Sequence, residues 1–196
     1  MKSRRSYDGA SRAQKAERTA ERVLLEAVRL FATEPFDRVT LASVAEAAGV
    51  TIPTLQRGFG NKEGLFAACA SLVAARVEGE RGDPPVGSIT KCIGEHVAHY
   101  EHEGATMWHL LRQEADVPLL RAPLAAGRAL HRAWVETVFA ESIARTSGRK
   151  RRARVDALVA VTDLFVWKLL RLDVGRSAAE VSALMCTMAE AITGER

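Results

Sequence analysis

The residues between Leu41 and Phe59 have the types and spacing of two short helices joined by a tight turn, with polar side chains on the outer face of the second. A tight helix-turn-helix needs a small residue where its helices cross, here Ala45, and a left-handed residue four positions later, which Gly49 supplies. Leu55 would then dock the second helix on the first. The outer face of that second helix could form hydrogen bonds or apolar contacts in a major groove through Thr51, Ile52, Pro53, Thr54, Gln56 and Arg57. The alternative is an ordinary helical hairpin with a glycine turn.

Positive charge is concentrated next to this motif. Residues 1–22 contain seven cations and three anions, so this segment accounts for the whole formal charge of +4. We expect Arg4, Arg5 and Arg12 to contact phosphates, because each neutralised phosphate releases a counterion. A solubilising tail is the alternative. Thr40, Arg57 and Lys62 lie at predicted helix ends, where phosphate contacts are common.

A second set of side chains has ligands that zinc accepts. Cys92, His96, His99 and Glu103 are spaced at i, i+4, i+7 and i+11, which puts them on one side of a helix. A single helix presents such ligands in a row, however, and at most two neighbours could chelate one ion. We therefore predict no metal and no cofactor, and interpret this side as a polar flank of the core or of a pocket. A metal sensor using Cys92, His96 and His99 is the alternative.

A further run of cations lies at Arg149, Lys150, Arg151 and Arg152. Such a run could form a second nucleic-acid patch, or it could be a solvated loop that opens a helix. The sequence favours the loop.

The elements that must position these residues are all helices. Helical periodicity recurs along the chain and alternation with a period of two is almost absent, so we predict an all-α protein of about nine helices. Thr40, Thr51 and Asn61 resemble N-caps. The predicted helices cover about 12–33, 41–48, a short segment between the caps Thr51 and Asn61, 62–80, 87–103, 105–114, 119–146, 150–174 and 177–193. Gly104, Pro118, Ser147-Gly148 and Gly175 separate the later ones.

The breaker at 81–87 and the compact motif before it suggest two domains. We predict a DNA-binding domain at 1–62, made of the basic arm and a three-helix motif, and a larger helical domain at 63–196. The larger domain contains the bulky side chains expected in a ligand pocket, although each could equally be plain core. These pocket candidates are Met107, Trp108, His131, Trp134, Phe139 and Trp167.

Two apolar stripes in the last helices are typical of a packed interface. Paired with their symmetry copies, the two helices would form a four-helix bundle and a homodimer. An intramolecular core is the alternative. The interface candidates are Val155, Leu158, Thr162, Phe165, Val181, Leu184, Met185 and Met188.

Composition excludes several other classes of protein. No apolar run reaches the roughly 18 residues of a membrane span, and the N-terminal residues lack the apolar region of a signal peptide. The three cysteines are scattered, which is typical of a reducing cytoplasm. No nucleophile-and-base or open metal motif is present, so we do not expect an enzyme.

One segment resembles a known family. Val23–Phe31 and Ala45–Leu65, the latter containing Gly49-Val50-Thr51-Ile52-Pro53-Thr54-Leu55, are similar to the N-terminal domain of the TetR family of transcriptional regulators. Val166–Gly175 also resembles members of that family. The resemblance implies a homodimeric repressor that binds a palindromic operator in double-stranded DNA and is released by a small molecule. A regulator without an effector remains the alternative.

Three positions depart from the common pattern of that family. Gln56 replaces an aromatic that contacts phosphate, Gly58 replaces a frequent tyrosine or histidine, and Ala42 is small where some members read a base. The resemblance therefore does not imply an operator sequence. It does imply a phosphate contact for Lys62.

Overall fold

The computed structural model describes residues 4–81 and 88–194, with side chains described for 13–76 and 88–194. Every element in these ranges is helical, which confirms the predicted all-α class. A 3-10 turn at Pro118–Leu120 precedes the sixth helix, and a π-helical turn at Leu169–Asp173 continues the ninth. The helices are α1 (Arg4–Thr33), α2 (Leu41–Ala47), α3 (Ile52–Phe59), α4 (Lys62–Arg81), α5 (Ile89–Leu111), α6 (Arg121–Val138), α7 (Ala140–Ala144), α8 (Gly148–Val161), α9 (Leu164–Lys168) and α10 (Ala178–Thr193).

Packing divides the chain into two compact units, residues 1–80 and 81–196. The sequence prediction set the boundary after residue 62, whereas α4 packs within the first unit. The Phe66 ring of α4 lies edge-on to those of Phe31 and Phe36, at centroid distances of 5.1 and 5.2 Å. Leu65 and Cys69, on the same helix, are also buried. These side chains complete a core that α1, α2 and α3 are too small to form alone.

In the second unit, the core is built mainly from α5, α8 and α10, with α6 and α9 packed against them. Its fully buried side chains include Ile93, Val135, Leu158 and Met185. Since the buried residues of α5, α8 and α10 recur every three or four positions, each helix turns one mainly apolar face inward, and α5 also buries His96 and His109 there.

The predicted break at Gly104 is wrong, because α5 is continuous from Ile89 to Leu111. Gly104 is buried under Trp167, and a Cβ at this position would lie 2.6 Å from Cζ3 of the indole. The glycine therefore permits a close approach of two helices inside the core and does not end a helix.

Two predicted long helices are each broken once. The helix predicted at 119–146 is interrupted at Phe139, a buried residue between α6 and α7. The helix predicted at 150–174 is interrupted at Thr162 and Asp163, where the Asp163 carboxylate accepts a hydrogen bond from the backbone N–H of Phe165 at 2.9 Å and caps α9. A buried aromatic and a helix cap thus end helices that periodicity alone would continue. None of the helices in the described ranges is long and apolar enough to cross a membrane.

Candidate nucleic-acid interface

The turn between α2 and α3 has the geometry that the sequence predicted. Gly49 has a φ of +61°, in the left-handed region that favours glycine. The backbone N–H of Val50 donates to the carbonyl of Ala45 at 2.9 Å, which closes the turn. Ala45 and Leu55 are both buried, as a helix crossing requires. The two short helices are therefore held at a fixed angle.

Helix capping sets where the motif begins. Thr40 Oγ1 accepts a hydrogen bond from the backbone N–H of Ser43 at 3.0 Å, and Ser43 Oγ accepts one from the N–H of Thr40 at 3.0 Å. This reciprocal pair is a capping box, and it confirms the predicted cap of α2. Asn61 also caps as predicted, since its Oδ1 accepts from the N–H of Gly64 at 2.8 Å. Thr51 precedes α3 but forms no capping hydrogen bond through its side chain.

Arg22 positions the turn, and sequence reasoning counted it only as one more cation of the arm. Its Nε donates to the carbonyl of Ala48 at 2.9 Å and so joins α1 to the end of α2. Ala48 is the C-cap residue of α2. The spacing of 26 residues between them carries no local signal, so only the packing of α1 across the motif could reveal this contact.

The outer face of α3 is exposed and chemically mixed. Ile52, Pro53, Gln56 and Arg57 are exposed, and Thr54 is half-buried. Thr51 Oγ1 and Thr54 Oγ1 lie 2.9 Å apart in a hydrogen bond, which orients both hydroxyl groups at the start of the helix. This surface presents donors, acceptors and two apolar groups, Ile52 and Pro53, at the helix end that enters a major groove in helix-turn-helix proteins.

The predicted phosphate contacts around the motif have different surroundings. Thr40 and Ala42 are exposed, although the Thr40 hydroxyl is engaged in its capping box. Lys62 is half-buried, and its ammonium donates to the carbonyl of Phe36 and lies 4.3 Å from the centroid of the Phe36 ring. Burial lowers the pKa of Lys62 below its ordinary value. Lys62 therefore joins α4 to the segment before α2, and only its remaining N–H donors are available to a phosphate.

The basic N-terminal segment is helical from Arg4 onward and does not begin its helix near residue 12 as predicted. The predicted contacts at Arg4, Arg5 and Arg12 involve side chains outside the described residues. Lys15 and Arg18, further along α1, are exposed. Cations of this segment thus belong to the same helix that covers the motif.

The predicted pocket residues form part of a buried polar and aromatic cluster in the second unit. The rings of His96 and Trp134 stack at a centroid distance of 4.2 Å, and those of His96 and His131 at 5.1 Å. Thr162 Oγ1 donates to the carbonyl of Leu158 at 2.8 Å, so it accepts from Nε2–H of His131, 2.9 Å away. His131 Nδ1 then faces the Asp163 carboxylate at 3.7 Å.

The carbonyl of Thr162 binds two further side chains of this cluster. It accepts hydrogen bonds from His96 Nε2 and from the Tyr100 hydroxyl, each at 3.2 Å. Trp167 is buried beside Tyr100 and donates from Nε1 to Glu101 Oε1 at 2.7 Å. Side chains of α5 and α6 therefore form hydrogen bonds to Thr162 at the break between α8 and α9, and α9 is bonded directly to α5 through Trp167.

The other pocket candidates lie in different surroundings. Phe139 is buried, with its ring edge-on to Trp134 at 6.4 Å. Trp108 is half-buried, lies edge-on to Phe165 at 5.4 Å and is covered by the ammonium of Lys168 at 5.0 Å. Met107 is half-buried and packs against the core. Sequence reasoning thus found the aromatic cluster, but missed Tyr100 and the role of Thr162 at its centre.

The four side chains weighed as an alternative metal site on α5 do not converge on one point. They are Cys92, His96, His99 and Glu103. Across the described residues, no group of three or more His, Cys, Asp or Glu side chains is arranged to hold a metal ion. His96 instead packs against the rings of His131 and Trp134, and Cys92 is buried with its pKa raised by that burial. Cys92 and His96 of this row are buried in the core of the second unit.

Most of the residues predicted to form the dimer interface do not lie on the surface, so the prediction is wrong for them. Val155, Leu158, Thr162, Val181 and Met185 are each at most 1% exposed and lie inside the core of their own unit. Periodicity identified their inward faces but did not distinguish an intramolecular core from an interface. Phe165, at 57% exposed, and Leu184, at 40%, remain accessible, and Met188 is half-buried.

A capped helix-turn-helix whose second helix exposes polar side chains has the geometry of the DNA-binding motif in helix-turn-helix proteins. Residues 23–69 match the family model described as bacterial regulatory proteins, tetR family, which confirms the resemblance seen in the sequence. Members of this family are regulators of transcription and not enzymes, as predicted for this chain. No curated protein sequence matches the chain.

Solved structures share the fold of this chain. A TetR-like transcriptional regulator from Rhodococcus sp. RHA1 superposes with a TM-score of 0.66 at 18% identity, covering 90% of this chain and 96% of that one. A tetR-family transcriptional regulator from Streptomyces coelicolor gives a TM-score of 0.69 at 18% identity, covering 91% and 82%. The similarity therefore extends over both units of the fold.

Proposed function

We propose that this protein is a transcriptional repressor that binds a palindromic operator as a homodimer and releases it when a small molecule binds the second unit. The observation that carries the proposal is the packed helix-turn-helix. Its turn is closed by Gly49 and Val50, its position is held by Arg22, and α3 turns Gln56 and Arg57 to solvent.

Base reading is assigned to the exposed face of α3, and phosphate contacts to the residues around it. Thr54 and Gln56 can exchange hydrogen bonds with base edges, while Ile52 can contact a thymine methyl. Arg57 and the cations of α1 suit phosphates, which fix the register of the protein on the duplex. A dimer would place two such helices in successive major grooves, about 34 Å apart.

Dimerisation is assigned to the apolar surface of α9, the π turn and α10. Phe165, Leu169 and Leu172 are 57%, 51% and 52% exposed, and Leu184 is 40% exposed. Several large apolar groups exposed this close together in sequence are typical of a protein interface. An isologous contact between two copies would remove them from water.

Effector binding is assigned to the cluster around His96, His131 and Trp134. It combines large rings with a few positioned polar groups, a composition that small-molecule sites share. A ligand there would act through the break at Thr162, and only by its different affinity for two arrangements of the helices. The family resemblance supports this assignment.

The test is a titration of the protein against DNA from beside its own gene. We expect footprints over two half-sites, with Gln56→Ala and Thr54→Ala changing the preferred sequence more than the salt dependence. A loss of affinity that is the same for every sequence would contradict the base-reading role. Compounds that release the DNA are then screened, and they should also change the tryptophan fluorescence.

The dimer is tested separately by sedimentation. Phe165→Glu should shift the protein toward the monomer, because it places a charge in the centre of the proposed interface. Leu25→Glu is the matched control, since Leu25 is 56% exposed on α1, away from this surface in sequence. Equal behaviour of the two variants would refute the assigned interface.

A further inference from the structure

The second unit carries a concentrated positive charge that the proposed function does not use. Residues 145–154 contain six cations and no acid, whereas the rest of 81–196 contains ten cations and fourteen acids. The unit is thus acidic outside this segment and strongly basic within it. A charge distribution of this kind attracts an anionic partner to one place.

The cations in question surround the start of α8. Arg149, Lys150, Arg151 and Arg152 follow directly on Gly148, the first residue of the helix, and all four are exposed. We call these four residues the α8 patch. Within the described residues, none of the four side chains forms an ion pair or a hydrogen bond.

Other exposed cations of the same unit do have partners. Arg132 pairs with Asp156 at 2.9 Å, and Arg128 donates to Glu114 at 3.0 Å. The positive charge of the α8 patch is therefore uncompensated by the protein. Its four like charges repel one another, and they lie at the end of the helix where the dipole is also positive.

The chemistry of the α8 patch points to phosphate groups. Three of its four members are arginines. A planar guanidinium group can donate two parallel hydrogen bonds to two oxygens of the same phosphate. The neighbouring residues are Thr146, Ser147, Gly148 and Ala153, so no large apolar side chain is available to enter a membrane or to anchor a protein interface. The backbone of duplex DNA presents a dense array of phosphate charges, so it is a partner that a contact made by charge alone can bind.

We propose that the α8 patch binds the phosphate backbone of double-stranded DNA, independently of base sequence, as a second DNA contact in addition to α3. The contact adds affinity and salt dependence but no sequence preference. It uses residues of the unit that is otherwise assigned to dimerisation and effector binding.

The test compares two full-length variants with the same change in charge. The patch variant carries Arg149→Gln, Lys150→Gln, Arg151→Gln and Arg152→Gln. The matched control carries Lys91→Gln, Arg121→Gln, Arg132→Gln and Arg176→Gln, all at exposed positions elsewhere in the unit. Circular dichroism melts verify that both variants are folded.

Binding is measured by fluorescence anisotropy on a duplex of arbitrary sequence of about 40 base pairs, between roughly 50 and 200 mM KCl. Each lost phosphate contact should reduce the slope of log affinity against log salt by about 0.9. We expect the magnitude of this slope to be smaller by roughly 2 in the patch variant than in the wild type, which is equivalent to about two phosphate contacts. In the control variant the decrease should be less than half as large. An equal loss in both variants would mean that only net charge matters, and would overturn the proposal.

Cross-linking locates the contact. Ala153 is exposed beside the α8 patch, and Ala125 is exposed on α6. Ala153→benzoylphenylalanine should cross-link to the duplex on irradiation, while Ala125→benzoylphenylalanine should not. Equal labelling from both positions, or none from Ala153, would refute the DNA contact.

Anionic vesicles containing phosphatidylglycerol provide the last arm of the experiment. If the patch variant loses vesicle binding while its DNA slope stays that of the wild type, the proposal fails in favour of a lipid surface. The slope difference should also persist in a background that carries Thr54→Ala and Gln56→Ala. This separates failure of the α8 patch from failure of base reading by α3.

Discussion

Replacement of Gly104 by alanine tests the packing between α5 and α9. A Cβ at this position would lie 2.6 and 2.7 Å from two atoms of the Trp167 indole, closer than carbon atoms approach in folded proteins. The indole cannot easily retreat, because its Nε1 donates to Glu101 Oε1 at 2.7 Å. Glu101 is in turn held by Arg171 Nε at 3.0 Å.

The expected loss of stability follows from two opposing effects. Alanine is favoured over glycine inside a helix by about 1 kcal/mol. Overpacking of a core costs about 1–3 kcal/mol, and a hydrogen bond to a charged group, lost if the ring of Trp167 moves away from Glu101, contributes about 1.5–3 kcal/mol. The steric cost therefore exceeds the helical gain, and we expect Gly104→Ala to destabilise the protein by about 2 kcal/mol.

Urea unfolding followed by circular dichroism measures this difference. A loss of about 2 kcal/mol should lower the midpoint by roughly 1 M, given the usual dependence on urea. Gly127→Ala is the matched control, because Gly127 lies within α6 with no atom within 4 Å of its Cβ position. The control should gain about 0.5–1 kcal/mol. If both variants gain stability alike, the contact between Gly104 and Trp167 does not constrain the core.

Three further predictions follow from other contacts. Gly58→Ala should stabilise the first unit by about 0.5–1 kcal/mol in thermal melts, because Gly58 lies within α3 and its Cβ position meets nothing within 4 Å; a loss would contradict this. Thr162→Val should cost about 1–3 kcal/mol in urea unfolding, since His131 loses its acceptor, whereas Thr187→Val on the surface of α10 should change little; equal effects would refute the role of Thr162. Burial raises the pKa of Cys69 to about 12 from 9.0, so its reaction with a disulfide reagent at about pH 8 should be roughly a thousandfold slower than in the unfolded chain. Because the unfolded thiol ionises first, stability should fall as the pH rises from 9.0 toward 12, and a pH-independent stability in this window would contradict the assignment.

The helix-turn-helix could be predicted from the sequence because its determinants are local. The left-handed turn at Gly49 and the caps at Thr40 and Asn61 each depend on residues within a few positions of one another. Such short-range patterns remain visible without knowledge of the tertiary contacts. The hydrogen bond from Arg22 to Ala48 spans 26 residues and is therefore invisible to the same reasoning.

The second unit was harder to predict because its decisive contacts are long-range. Glycine usually marks a helix end, but at Gly104 the missing side chain makes room for Trp167, 63 positions away in the numbering. An apolar stripe shows that a helix buries one face, but does not show what covers that face. For this reason Val181 and Met185 were assigned to an interface, although they lie inside the core.

The continuity of α1 has a consequence for the thermodynamics of DNA binding. This helix of 30 residues carries exposed cations at Lys15 and Arg18 and, further along, the buried Val23 and Ala27. At about 1.5 Å per residue it is a rod of roughly 45 Å, so a phosphate contact near its start acts on the same rigid body that supports the motif. A disordered arm would lose backbone entropy on binding, but a helix formed beforehand does not. Calorimetry should accordingly show little ordering entropy for this contact, and affinity gained there should come at a small conformational cost.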